Sequence, residues 1–387
     1  SPSNLLAYSE FDDTPNNGRY RKNYRNHQND YVVGQPTWSK SRGRGLIGAI
    51  YYLASKGMNV MTVSLISDDK YVFPFASERK LDYDVSKLAQ WEVVFEYAEQ
   101  KGIALHIKLM ETDDDEIFGD NKLSEARKLV YHEMVARFSH HLAVTWDLGK
   151  EASRVEYVKD LSAFLRGVDP YKHPIVVQAD ASLLGVDSID GTSLQSDSPH
   201  ADTIEWLSQS AAIGRKWIVS VDQTADTLKG VLPDGDDSNL DEIRKNLLWG
   251  NLMAGGWGVQ YLFGTSFSES DLTLQDFRSR NKLFEQSRYA LEFFGEIPLW
   301  EMETKNEWAG VGTANSVLAT SDNSIIVLYK GEPGNQPTIN LPGTDDMYTV
   351  WWFDPRKGGQ MKRGRPLMVK SRSNVSLGKE PYSTDDD

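Results

Sequence analysis

The sequence contains no cysteine, and this absence removes several classes of site at once. Its 387 residues hold no thiol that could form a disulfide, bind zinc as a thiolate or act as a nucleophile. Basic residues are also in deficit, because 42 Lys and Arg face 56 Asp and Glu and leave a formal net charge of -14. This balance argues against nucleic acid, and against an anionic membrane surface, as the general partner.

Long apolar runs are missing as well. No stretch is apolar over enough residues to cross a bilayer, and no secretion signal is recognisable at the start. Core material is ample, since 11% of the residues are aromatic and 40% are hydrophobic. We therefore expect a globular chain without membrane insertion, long enough for one large domain and one small one.

The middle of the sequence alternates between helical and strand-like patterns. Amphipathic stretches such as Val85–Gln100 alternate with short strand-like runs, which include Leu142–Trp146, Gly191–Gln195, Trp217–Val221 and Val259–Phe263. Such alternation predicts a parallel sheet with helical crossovers. Seven strand candidates, starting at Met58, precede the last long helix. Eight strands would close a barrel, so we expect the first strand within residues 4–8 or before the first residue. An open doubly wound sheet is the alternative, but polar residues at strand ends favour the barrel.

The pattern changes after Trp300. Residues 308–387 contain short alternating runs separated by Gly, Pro and Asp turns, without a helical period. The sequence therefore predicts an α/β protein with two domains. Residues 1–300 form a (β/α)8 TIM-type barrel, and residues 301–387 form a small antiparallel β-sandwich.

Three motifs match cofactor or metal sites by letter but lack the context that the chemistry needs. Gly43-Arg-Gly-Leu-Ile-Gly48 matches the dinucleotide fingerprint, yet no apolar strand precedes it, so glycines opening a helix explain it better. His132-Glu133 begins a zinc-protease pattern, but Ala136 occupies the place of the second histidine. The acidic runs 113–116 and 234–237 lack EF-hand spacing. We expect no cofactor and no metal.

Polar groups recur where the predicted strands end, and aromatic side chains lie near them in the sequence. A glycosidase needs this combination, because one carboxyl group protonates the leaving oxygen, a second attacks or stabilises the sugar, and flat rings stack on it. A helix-capping role explains Glu151 about as well, and a core position explains Trp146 better, whereas a loop position favours function for Trp38. The set comprises Glu111, Asp147, Glu151, Gln195, Asp222, Gln223, Trp38, Trp146, Trp257, Tyr261 and Phe263.

Several segments carry a family resemblance that spans nearly the whole chain. His140-His-Leu-Ala-Val-Thr-Trp-Asp-Leu-Gly-Lys-Glu151 resembles the GHHLALTWNLGEEN segment of bacterial, often marine or planctomycete, proteins with a domain of unknown function and a collagen-binding C-terminal domain. Asp84–Trp91, Gly250–Gly256 and Trp352–Arg356 look like further blocks of that family. These proteins are similar to clan-A glycoside hydrolases, including apiosidase-like enzymes and enzymes of algal polysaccharide breakdown. Chains of the family normally begin earlier and end later than this sequence.

The resemblance implies an acid/base after the fourth barrel strand and a nucleophile after the seventh. Those positions correspond here to Glu151 and to Asp222-Gln223, where family members tend to carry Asp-Glu. Glutamine cannot act as a carboxylate nucleophile. Three interpretations stay open: Asp222 has taken the role, the protein is inactive, or Gln223 replaces a Glu of the active form, which we favour. Asp147 and Lys150 also depart from the family's Asn and Glu. Lys150 could pair with a substrate anion, although a solvated lysine is the ordinary explanation.

We therefore expect a secreted or periplasmic glycoside hydrolase that cleaves a complex, sulfated algal polysaccharide, such as a carrageenan, by a retaining mechanism. The crowding of basic residues in the N-terminal loops supports an anionic glycan, although a solvated basic loop explains it nearly as well. These residues are Arg19, Arg21, Lys22, Arg25, Lys40, Arg42 and Arg44. The sugar contacts that we expect are Glu111, Trp38, Asp147, Lys150, Gln195, Trp257 and Tyr261.

Two alternatives from other classes stay open. The first is a barrel that binds carbohydrate without cleaving it. The second is adhesion to collagen through residues 301–387, which we do not expect. The sequence does not predict the sugar, the linkage or the oligomeric state.

Overall fold

The computed structural model describes most of the chain, and the statements below concern that part. It comprises residues 23–38, 41–64, 82–109, 118, 122–149, 154–178, 180–223, 228–237, 240–271, 273–310, 315–331 and 336–382. The chain divides into two compact units. The first holds Ser1–Asp197, Glu205–Leu240 and Gly258–Asn281, and the second holds Ser198–Ile204, Asp241–Trp257 and Lys282–Asp387. The boundary that we place at residue 300 stays a prediction.

A seven-stranded parallel sheet forms the centre of the first unit, and its strands follow one another in chain order. The strands are β1 (Val60–Ser64), β2 (Ala104–Lys108), β3 (Val144–Asp147), β4 (Ile175–Val177), β5 (Gly191–Gln195), β6 (Ile218–Gln223) and β7 (Gly258–Val259). The helices of the whole chain are α1 (Arg44–Ser55), α2 (Val85–Gln100), α3 (Glu125–Phe138), α4 (Val155–Val168), α5 (Pro199–Ala212), α6 and α7 (Asn281–Gly295). Helix α6 is continuous through Leu240–Glu242, a π-helical Ile243–Trp249 and Gly250–Leu252.

The sheet curls until its two edges approach each other. The Thr62 hydroxyl on β1 donates to Oε1 of Gln260, just after β7, at 3.0 Å. Sequential parallel strands, helical crossovers and this contact between the edges identify a TIM-like barrel, which confirms the predicted fold class. The first strand that we expect in residues 4–8 lies outside the described residues.

Alternation along the strands separates a polar inner face from an apolar outer face. On β2, His106 and Lys108 face inwards, whereas Leu105 and Ile107 are fully buried on the other side. Trp146 of β3 is likewise buried, and its indole N–H donates to Oδ2 of Asp169 at 3.1 Å. Trp146 is therefore a core residue, as predicted.

The glycines of the rejected dinucleotide motif allow two segments to pack closely. Helix α1 lies against a 3-10 helix, Arg25–Asp30. A Cβ at Gly45 would lie 2.1 Å from the carbonyl oxygen of Asn23, and one at Gly48 would lie 2.0 Å from that of His27. These glycines therefore leave room for the 3-10 segment's backbone, which accounts for the motif without a nucleotide.

Small antiparallel sheets make up the last part of the second unit. The strands are β8 (Met302–Thr304), β9 (Asn315–Thr320), β10 (Ile326–Lys330), β11 (Thr338–Ile339), β12 (Met347–Trp352), β13 (Lys362–Lys370) and β14 (Val375–Ser376). They form one sheet in the order β10-β9-β8 and two pairs, β11-β14 and β12-β13. Val317, Ile339, Val350, Val369 and Val375 from these sheets share one apolar core. Small antiparallel sheets at this end agree with the sequence, while a β-sandwich stays a prediction.

None of the helices in the described residues is both long and apolar enough to cross a membrane.

Candidate active site

Two aspartates on different strands of the first unit meet at the carboxyl-terminal edge of the barrel. Asp147 ends β3, and Asp222 is the second-last residue of β6. Their carboxylates lie within 4.8 Å of each other. The Lys108 ammonium lies 3.9 Å from Oδ2 of Asp147 and 3.7 Å from Oδ2 of Asp222, so one cation serves both anions. We refer to these residues, with His106, Ser193 and Ser220, as the inner network.

Asp147 is the most tightly held member of the inner network. It is almost fully buried, its Oδ2 lies 3.0 Å from Nε2 of His106, and its Oδ1 accepts the Gly149 backbone N–H at 2.8 Å. Burial alone would raise the pKa of Asp147, but the hydrogen bond from His106 and the positive charge of Lys108 outweigh it and lower that pKa. Gly149 has a φ of 74°, which glycine adopts without strain, so the chain turns sharply after β3. The carboxylate therefore fixes the start of the loop that follows.

Asp222 uses both of its oxygens inside the barrel. Oδ2 accepts a short hydrogen bond from the Ser193 hydroxyl, and Oδ1 accepts from the Ser220 hydroxyl at 3.1 Å. With Lys108 beside Oδ2, the buried carboxylate has its charge balanced and its orientation fixed. A carboxylate in this state is a weak nucleophile, because attack would remove it from these partners.

A β-bulge lies at the same edge. Leu194 of β5 pairs with Val221 of β6, whereas the next residue, Gln195, pairs with Gln223, so Asp222 is the extra residue. Bulges next to active sites re-aim side chains, and two residues of the bulged strand then oppose one of its partner. The backbone of position 223 thus lies opposite Gln195, directly after the fixed carboxylate of Asp222.

His106, Asp147 and Asp222 offer three ligand atoms of a kind that binds divalent metals. Lys108 lies between the two carboxylates, however, and its ammonium already supplies the compensating positive charge. The inner network is therefore better suited to orienting neighbouring groups than to binding a cation.

The aromatic side chains predicted to contact sugar lie in different surroundings. Trp38 forms a backbone pair with Arg42, and its ring occupies the space beside Gly43, where a Cβ would lie 2.5 Å from it. Tyr261 is only 1% exposed and offers no ring face to a sugar. Trp257 is 59% exposed, belongs to the second unit and immediately precedes β7, so it stands at the strand's amino end.

Three predicted site residues, Glu111, Lys150 and Glu151, lie outside the described residues. The same holds for the side chain of Gln223, of which only the backbone is described. Chain connectivity still constrains two of them. Glu111 follows the end of β2 by three residues, and Glu151 follows Asp147 by four.

Four members of the inner network did not emerge from the sequence as site residues. These are His106, Lys108, Ser193 and Ser220. A signal exists in β2, because His106 and Lys108 alternate with Leu105, Ile107 and Leu109, and charged groups inside an apolar strand mark an inner barrel face. The serines carry no such signal, since their role depends on the register between β5 and β6.

Comparison with known proteins concerns the fold. No protein-family model matches the sequence, and no curated protein matches it. A glycoside hydrolase family 5 structure from Bacteroides vulgatus superposes with a TM-score of 0.65 at 12% identity, covering 87% of this chain and 83% of the other. A structure described as a glycoside hydrolase gives 0.67 at 11% identity, covering 87% and 86%. A debranching enzyme from Nostoc punctiforme gives 0.55 at 9% identity, covering 96% and 95%. The chain thus shares the fold of these three structures.

Proposed function

We propose that the protein is a retaining glycoside hydrolase with its centre at the carboxyl-terminal ends of β3 and β6. The observation that carries this proposal is the approach of Asp147 and Asp222 to within 4.8 Å. Their strands continue into the segments that carry Glu151 and Gln223. Both segments therefore start close to each other. A retaining mechanism requires this proximity, because its two catalytic carboxyl groups lie about 5–5.5 Å apart.

Each residue has one role in this scheme. Glu151 acts as general acid and then as general base, and position 223 supplies the nucleophile when it is Glu. Asp222 is a positioning residue, because both of its oxygens are engaged by Ser193, Ser220 and Lys108. The β-bulge supports this assignment, since it opposes two consecutive residues of β6 to one residue of β5.

The charge of the N-terminal loops and the barrel fold support the substrate class that we propose. TIM-barrel enzymes bind substrates at the carboxyl-terminal face, and structures with this fold include enzymes that are described as glycoside hydrolases. We infer a complex anionic glycan, such as a sulfated algal polysaccharide, from the seven basic residues crowded within positions 19–44. A polysaccharide is too large to enter a cell intact, so we propose that the protein is secreted or periplasmic. Glu111, Lys150, Gln195 and Trp38 remain proposed sugar contacts, whereas Trp257 stands at the amino end of β7, away from this face.

The test compares the protein with its Gln223→Glu variant on a panel of red- and brown-algal polysaccharides, measuring released reducing ends. We expect turnover only with the variant, because Gln cannot form the glycosyl-enzyme bond. Gln195→Glu is the matched control, since it places the same new carboxylate at the paired position on β5. Turnover by the control and not by Gln223→Glu would contradict the assignment of position 223.

Gln223 itself favours a second function, a barrel that binds carbohydrate without cleaving it. This alternative predicts that the protein and the Gln223→Glu variant bind a polysaccharide of the panel equally and that neither releases product. Isothermal titration with the same polysaccharides measures that binding. Turnover by the unchanged protein would instead make Asp222 the nucleophile.

A further inference from the structure

Two adjacent histidines that the proposed active site does not use lie at the other end of β3. His140 and His141 follow α3 and precede β3, so they stand at the amino-terminal side of the sheet. Beside them lies Glu92 on α2, the helix that connects β1 to β2. The sequence shows no metal spacing here, because the three residues come from two separate elements.

The three side chains converge on one point. Nε2 of His140 lies 3.0 Å from Oε1 of Glu92, and Nε2 of His141 lies 3.6 Å from the same oxygen. The two imidazole rings are 4.4 Å apart at an angle of 30°. The two nitrogens and the carboxylate oxygen all lie within 4.8 Å of one another, so one ion can contact all three.

A fourth residue fixes the orientation of His141. Nδ1 of His141 lies 3.2 Å from Oε2 of Glu99, which also accepts the Leu142 backbone N–H at 2.8 Å. A proton on Nδ1 leaves the lone pair of Nε2 directed at the cluster. Metal-binding histidines commonly donate their second ring nitrogen to a carboxylate in this way.

The Nε2 atom of His141 has no hydrogen-bond partner among the described residues, although it is buried. His141 is only 3% exposed, and a buried polar atom without a partner is costly. Its ring packs edge-on against Phe95, with centroids 6.0 Å apart, which holds it in place. An electron-pair acceptor at the cluster would satisfy this atom.

We propose that Glu92, His140 and His141 bind one zinc ion, with Glu99 orienting His141. Imidazole nitrogens with one carboxylate form a donor set that suits zinc and not calcium or magnesium, which prefer oxygen ligands. His140 is half exposed and Glu92 partly exposed, so the ion can enter from solvent. The bound ion joins α2 to the segment between α3 and β3, and it lies at the end of the barrel away from the proposed catalysis.

A proton is the competing occupant. Burial lowers the pKa of His141, but the nearby carboxylates of Glu92, 3.6 Å from Nε2, and of Glu99, 3.2 Å from Nδ1, outweigh it and raise that pKa. The same negative charge attracts a metal ion, and zinc displaces the proton where its affinity is sufficient.

The test titrates the metal-free full chain with zinc chloride at pH 7.5 by calorimetry and follows its thermal unfolding. We expect one equivalent to bind, and zinc at 100 times its dissociation constant to raise the folded-to-unfolded ratio about 100-fold. Cobalt(II) at the same site gives visible absorption bands of a nitrogen- and oxygen-ligated ion. Glu99→Gln should weaken binding about 10–100-fold, since it loses only the orienting carboxylate.

Controls separate this site from others on the chain. His140→Gln and Glu92→Gln, both at partly exposed positions, should abolish binding while the protein stays folded. His132→Gln on α3 removes an exposed histidine outside the cluster and should bind zinc as the unchanged protein does. Absence of one-to-one zinc binding by the folded protein would overturn the proposal. Binding that survives His140→Gln and Glu92→Gln would overturn it too.

Discussion

Asp147 shows how one side chain links the fold to the proposed site. Its carboxylate meets His106, Lys108 and the Gly149 N–H in a nearly dry environment. Removing one partner from a buried ion pair leaves the other charge uncompensated, and this is more costly than the pair itself is stabilising. Asp147 is therefore expected to affect both stability and the loop that leads to Glu151.

Asp147→Asn should lower the free energy of unfolding by about 3 kcal/mol at pH 7, since in a buried site Lys108 then loses one of its two counter-charges and His106 loses its carboxylate partner. The folded protein has a lowered Asp147 pKa, so this stabilisation is fully present above the pKa of an unfolded Asp. It is lost as the pH falls through the lower folded pKa. Urea unfolding at several pH values should show that the free energies of unfolding of Asp147→Asn and of the unchanged protein come closer together in acid. Asp187→Asn, at an exposed position, should unfold like the unchanged protein at every pH. An equal loss at every pH would contradict this account.

Asp222 gives a second prediction at the same scale. In the Gln223→Glu background, Asp222→Asn should reduce kcat about 100-fold with little change in KM, because the neighbouring nucleophile loses its positioning. Ser193→Ala removes only one partner of Asp222 and should reduce kcat less. Steady-state kinetics on the polysaccharide identified with Gln223→Glu measures both values. An unchanged kcat would show that Asp222 does not position the nucleophile.

At the scale of helices and strands, local sequence patterns predicted α2 and β5 well, but they predicted less well where a strand stops pairing with its neighbour. Helix α2 and strand β5 have the predicted bounds, Val85–Gln100 and Gly191–Gln195. The side chain of Asp84 caps α2 by accepting the Lys87 N–H at 2.8 Å. The strand predicted over Val259–Phe263 is paired only over Gly258–Val259, because pairing with β6 ends at the bond from the Gln260 N–H to the Val221 carbonyl. Where pairing ends depends on the neighbouring strand, which a local pattern does not contain.

The glycines of α1 provide an element-scale prediction. Gly48→Ala should destabilise the protein by about 1–3 kcal/mol. The new methyl group would clash with the His27 carbonyl oxygen, which belongs to the backbone and cannot rotate away as a side chain could. Gly167→Ala is the matched control, because Gly167 lies in helix α4 with no atom within 4 Å of an added Cβ. That substitution should stabilise by about 0.4–1 kcal/mol. Urea midpoints measure both. Equal effects would mean that close packing does not explain the motif.

For the whole molecule, the sequence predicted the barrel but not the network that organises its edge. Alternating helices and strands carry the fold, and strand-end acids point to Asp147 and Asp222. The contact of these two residues through Lys108 requires the curl and register of the sheet. The sequence did not predict Ser193 and Ser220 as site residues for the same reason, since their hydrogen bonds to Asp222 depend on the arrangement of β5 and β6. The sequence pattern predicts which residues lie at strand ends, but only the folded barrel determines which of these residues contact one another.

The barrel also decides the stereochemistry of the proposed reaction. If the groups at positions 151 and 223 lie about 5–5.5 Å apart, the nucleophile attacks the sugar directly and two displacements retain the anomeric configuration. We therefore expect the first product of Gln223→Glu to have the configuration of the bond that was cleaved. Proton NMR during the first minutes, before mutarotation, measures it, and the unchanged protein serves as the blank. An inverted first product would require a gap of about 6.5–9.5 Å with room for a water molecule. Position 223 would then act as a general base, and the assignment of a covalent nucleophile would be wrong.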